Sequence, residues 1–139
     1  MLNVEYILNE RISVADFICI LQESGLSARR PIIDTDCLQG MLNHTNLMVS
    51  ARQNDRLIGI SRCLTDFHYA CYCADLAVAV AFQKQGIGKK LMQETQNQLG
   101  PNCSIILLSA PNAVLYYPHI GFTQHQSAWT LAPSALLAC

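Results

Sequence analysis

The segment QKQGIGKK, residues 83 to 90, sets two glycines and three lysines between an apolar run and a stretch of helical spacing. A glycine turn that enters a helix suits an anion, because unpaired backbone N–H groups and the positive end of the helix dipole point the same way. Phosphate is the expected guest. Two common phosphate loops fail on spacing. A Gly-x-x-x-x-Gly-Lys-Ser/Thr loop would need glycine at Gln83 and a hydroxyl at Lys90, so its magnesium ligand is missing. A Gly-x-Gly-x-x-Gly dinucleotide turn would need its third glycine at Leu91, and LGPNCSIILL downstream holds no acidic residue for a ribose.

Such a turn works only if a strand delivers the chain to it and a helix carries it away. YACYCADLAVAV, rich in small and β-branched residues, reads as that strand; GKKLMQETQNQL reads as the helix, stopped by GPN. Upstream, NVEYIL is a short strand and SVADFICILQESG a helix, with Ser13 as N-cap, Val14, Phe17, Ile18 and Leu21 at helical spacing, and Gly25 as its end. LSARRPIID is a loop because proline interrupts hydrogen bonding; its Arg29 and Arg30 could serve an acidic group of an acceptor, but paired arginines are usually solvated and that is the expectation. Asp34 or Thr35 caps a second helix through CLQGMLNHT, and NLMVSAR, QND and RLIGISRCL form a hairpin. SIILLSA reads as a strand covered on both faces, NAVLYYPHIGF as a short helix broken at Pro118, and SAWTLA as a last strand. The order predicts an α/β fold, a central mixed and mostly antiparallel sheet with helices on both faces, in a single domain over residues 1–139.

Half of the 139 residues are hydrophobic and 14% are charged, which describes a globular chain with a real core. The net charge of -1 gives no general attraction to nucleic acid. No apolar run approaches the roughly 20 residues of a membrane span. The opening MLNVEYILNE lacks a signal peptide's basic and apolar regions, so a cytoplasmic protein is expected. Seven cysteines, Cys19, Cys37, Cys63, Cys71, Cys73, Cys103 and Cys139, are an odd number scattered through apolar segments, and they read as reduced, buried small residues. Their spacing does not suit zinc, and no metal is expected.

LAVAVAFQKQGIGKKLM resembles the acetyl-CoA site of the GNAT superfamily of N-acetyltransferases, whose motif Gln/Arg-x-x-Gly-x-Gly/Ala falls on Gln83, Gly86 and Gly88. YYPHIGF resembles the family's Tyr-x-x-x-Gly-Phe on Tyr117, Gly121 and Phe122. Val80 departs from the pattern, where many members carry proline. The resemblance implies that backbone groups of Leu76, Ala77 and Val78 hold the pantetheine arm, on a bulged strand that splays from the one after the helix. It implies that Gln83, Lys84, Gln85, Gly86, Ile87, Gly88 and Lys89 cradle the pyrophosphate, and that Asn112 belongs to the cofactor site.

The implied reaction is direct acetyl transfer to a primary amine, of a small molecule or a protein, with Tyr117 as general acid. The position of the carboxylate base in many members is Tyr72 here. Asp75, of opposite strand parity, is a candidate base, as are His68 and His119; a water chain to solvent is the expected route. The rival is a non-catalytic acyl-CoA-binding or sensing module of the same fold. The apolar SAWTLAPSALLAC would suit a homodimer, and neither nucleic acid nor membrane is an expected partner.

Overall fold

The computed structural model describes residues 3 to 138, and the chain divides after Leu108 into two compact units. The first holds a five-stranded sheet whose spatial order is its chain order: β1 (Glu5–Leu8), β2 (Leu47–Gln53), β3 (Arg56–Thr65), β4 (Ala70–Val78) and β5 (Ser104–Ile106). The first three pairings are antiparallel, and β5 runs parallel to β4. Asn54 and Asp55, at φ 49° and 67°, make the tight turn from β2 to β3, the geometry whose twist matches a hairpin.

Helix α1 (Val14–Ser24) starts where Ser13 Oγ accepts the Asp16 N–H at 3.1 Å and ends at Gly25, whose φ of 86° closes it. Of the two expected caps of α2 (Thr35–Asn43), Asp34 is the one used, accepting the Cys37 N–H at 3.0 Å. Both helices cover one face, where Phe17, Ile20, Leu21 and Leu38 pack with Met48, Ile60 and Ala77. Each such buried side chain contributes about 1.5–3 kcal/mol. Helix α3 (Ile87–Gln96) covers the other face, with Ile87 and Leu91 against Val49, Ala51 and Ile58.

The β3–β4 ladder pairs Arg62 with Asp75 but Cys63 with Cys73, leaving Ala74 as a bulge. Arg62 and Cys63 are adjacent and point to opposite faces, so Asp75 and Cys73 do too. The bulge therefore overturns the parity expected from sequence. Tyr72 and Asp75 share the α1–α2 face, while Cys71 and Cys73 share the other.

Other expectations need correction. β5 is three residues long, and Ile106 and Leu108 are half exposed, so SIILLSA is an edge and not a strand covered on both faces. The second unit contains a 3-10 turn (Pro111–Ala113) and α4 (Tyr116–His119). Pro118 lies inside α4 without breaking it, because N–H groups in a first turn have no helical acceptor to lose. SAWTLA forms no strand, and Trp129 and Leu131 are exposed. Cys63, Cys71 and Cys73 are buried as expected, whereas Cys19 and Cys37 are exposed; Cys139 lies outside the described residues.

Candidate functional site

β4 leads into the glycine turn through Ala79, whose N–H still donates to the Ile58 carbonyl at 2.9 Å. One 3-10 turn (Val80–Phe82) follows, and the Gln83 side chain reaches back to donate to the Val78 carbonyl at 2.8 Å. Gln83 thus ties the turn to the strand's end. Lys84 sits at φ 63°, a left-handed conformation that costs a non-glycine residue about 1–2 kcal/mol, and Gly86 at φ 82°, where glycine has no such cost.

No side chain caps α3. Its first helical bond runs from the Lys90 N–H to the Gly86 carbonyl at 3.0 Å, so the N–H groups of Ile87, Gly88 and Lys89 lie ahead of any helical acceptor. A Cβ placed on Gly86 would meet nothing within 4 Å, so the space beside the turn is open. Lys84 and Lys89 are exposed there. Lys90 is engaged elsewhere, pairing with Glu94 at 3.1 Å and lying 6.0 Å from the Tyr6 ring centroid.

The two edges of β4 differ. Against β3 it is paired from Cys71 to Val78, but against β5 only from Ala70 to Tyr72. From Cys73 onward no strand of the described residues pairs with its β5-side edge; Gln83 takes the Val78 carbonyl, and the rest of the edge beside Leu76, Ala77 and Val78 has no strand partner on that side. A cradle of N–H groups and an open strand edge meet within ten residues of chain.

On the α1–α2 face, Asp75 is fully buried between two arginines. Its Oδ1 accepts from Arg30 Nε at 2.6 Å and its Oδ2 from Arg62 Nε at 2.5 Å. Arg30 also donates to the carbonyl of the bulge residue Ala74 at 2.9 Å, and Arg62 lies over the Phe17 ring. Arg30 is thus not solvated, contrary to expectation. The strand carries the bulge that the resemblance implies, but neither its place at Ala74 nor this triad is expected from the sequence. The signal available was Arg62, a charge inside an apolar strand, with a carboxylate on the next strand.

Asn112 lies in the 3-10 turn of the second unit and is exposed. Tyr117 is on α4, edge-on to Tyr116 at 5.3 Å and to Phe122 at 5.5 Å between ring centroids. The Tyr117 carbonyl accepts the Phe122 N–H at 2.9 Å, and Gly121 between them takes φ 108°. His68 and His119 are exposed. Among the described residues, no cluster of His, Cys, Asp or Glu is placed to hold a metal, and no helix is long and apolar enough to cross a membrane.

A family model described as an acetyltransferase (GNAT) domain matches residues 21–130, most of the chain. The chain belongs to the GNAT acetyltransferase family. The chain is 26% identical over 125 residues to an uncharacterized N-acetyltransferase, ycf52, of Gracilaria tenuistipitata var. liui, covering 88% of this chain and 68% of the relative. Its fold is similar to a GNAT-family acetyltransferase of Streptococcus pneumoniae TIGR4, with a TM-score of 0.71, 20% identity and coverage of 92% and 98% of the two chains. It is also similar to an aminoglycoside N-acetyltransferase in complex with CoA, with a TM-score of 0.71, 12% identity and 96% of each chain covered. At such identities the two solved structures speak for the fold alone.

Proposed function

We propose that the acetyltransferase moves an acetyl group from acetyl-CoA to a primary amine by direct attack, the whole chain serving as one catalytic domain. The observation that carries this reading is the uncapped start of α3 after Gly86, set beside the open edge of β4. An N–H cradle at a helix start suits a pyrophosphate, and an open strand edge suits an amide-bearing arm that adds to it as a strand would. The fold neighbour in complex with CoA supports the same donor.

In this reading Gln83, Lys84, Gln85, Gly86, Ile87, Gly88 and Lys89 form the pyrophosphate site and Leu76, Ala77 and Val78 line the arm; the family resemblance adds Asn112 to the cofactor residues. The neutral amine nitrogen attacks the thioester carbon, and a backbone N–H of β4 stabilises the oxyanion. The C–S bond then breaks, and the departing thiolate takes the phenol proton of Tyr117. The proton lost by the amine leaves through water. Asp75, the candidate base, has both carboxylate oxygens occupied by arginines, which favours the water route.

That occupied carboxylate also sustains the second reading, a non-catalytic acyl-CoA-binding or sensing module. Turnover separates the two. Thiol release from acetyl-CoA that depends on an added amine supports the enzyme; CoA binding with no release across a broad amine panel supports the sensor.

A further inference from the structure

Beyond the Arg62–Asp75 pair, the α1–α2 face of the sheet loses its cover. The next row across three strands is Leu64, Tyr72 and Ile106: Leu64 pairs with Tyr72, and Tyr72 with Ile106, so all three side chains share one face. They are 40%, 42% and 54% exposed. One row back, Arg62 and Asp75 are almost fully buried. Three large apolar residues side by side on an open sheet face are unusual for a surface that meets only water.

Charge narrows what could lie there. A polycationic acceptor needs available carboxylates, and the one beside the row, Asp75, faces two guanidinium groups. The local triad therefore carries a net positive charge. Asp66, at the hairpin's end, accepts three backbone N–H bonds, from His68, Tyr69 and Ala70. The row is also continuous with the proposed donor site. Tyr72 and Leu76 lie opposite Leu64 and Ser61, three residues apart on β3, about 10 Å at a strand's rise. An amine about 6 Å long, with a ring or short alkyl chain, bridges that span once a van der Waals contact of about 3.5–4 Å is added at its end.

We infer that the face of Leu64, Tyr72 and Ile106 receives the apolar body of the acceptor, which is a hydrophobic primary amine and not a polycation. The inference rests on the proposed acetyl transfer and deepens it.

The test compares 2-phenylethylamine with spermidine as acceptors, following thiol release, in the wild type, Tyr72→Asp and Leu64→Glu. The expected result is a kcat/KM at least tenfold higher for 2-phenylethylamine, with the ratio falling at least tenfold in either variant through KM. Equal or better use of spermidine, or a ratio that neither variant changes, overturns the inference. A wild-type dimer that Tyr72→Asp dissociates would give the face to a second copy and overturn it too. If the protein failed to bind acetyl-CoA, the proposed function would fall instead. The row would then be read without the donor: 2-phenylethylamine should raise the melting temperature of the wild type but not of Tyr72→Asp, and no rise overturns the inference.

Discussion

Asp75 is the residue on which the most local chemistry converges. Replacing it with asparagine leaves two guanidinium groups facing each other in a buried site, and removing one partner of a buried ionic network costs about 3–5 kcal/mol. Urea unfolding of Asp75→Asn should show a loss of that size. A loss below about 1 kcal/mol would mean that the arginines find other partners. Arg30→Lys keeps a charge but cannot hold Asp75 and the Ala74 carbonyl together with one planar fork, so it should cost less than Asp75→Asn and more than nothing. Tyr117 makes its prediction through turnover. Tyr117→Phe preserves the edge-on ring contacts and removes the proposed donor, so kcat should drop about 10²-fold or more with acetyl-CoA affinity little changed. Unaltered kcat would leave Tyr117 as packing.

Among the elements, the β3–β4 hairpin carries the clearest pH dependence. Three backbone N–H bonds from Tyr69, Ala70 and His68 hold the Asp66 carboxyl at about 2, below its ordinary 3.8. A depressed carboxyl contributes stability that is present above 3.8 and disappears as pH falls through about 2. Acid unfolding should lose this contribution across that window, and Asp66→Ala should flatten the acid limb there. An unchanged limb would show that the turn is indifferent to the charge. The same scale explains what could be read in advance. Ser13, Gly25 and the Gly86 turn were legible because capping and positive φ demand particular residue types. The resemblance implies a bulge in this strand but not its place at Ala74, since one unpaired residue in a ladder leaves no residue-type signature, and that place moves Asp75 to the same face as Tyr72. SAWTLA showed β-type composition, but composition alone does not supply a neighbouring strand.

For the whole molecule, family and fold agree with the two short motifs, while the acceptor rests on the sheet face and the proton's route on Asp75 being occupied. If water removes the amine's proton, kcat/KM for the acceptor should rise about tenfold per pH unit toward the amine's own pKa. A plateau near neutrality would point to a dedicated base. The central claim, a CoA pyrophosphate at the start of α3, is tested most directly by the melting temperature with CoA, ATP or NAD, in the wild type and in Gly86→Asp. A ligand that binds only the folded state at 100 times its Kd adds about 2.7 kcal/mol. The melting temperature should rise clearly with CoA in the wild type, little with ATP or NAD, and not at all in Gly86→Asp, where a strained left-handed residue brings a negative charge into the open cradle. Equal rises with ATP or NAD, or a folded Gly86→Asp that responds to CoA as the wild type does, would contradict that claim.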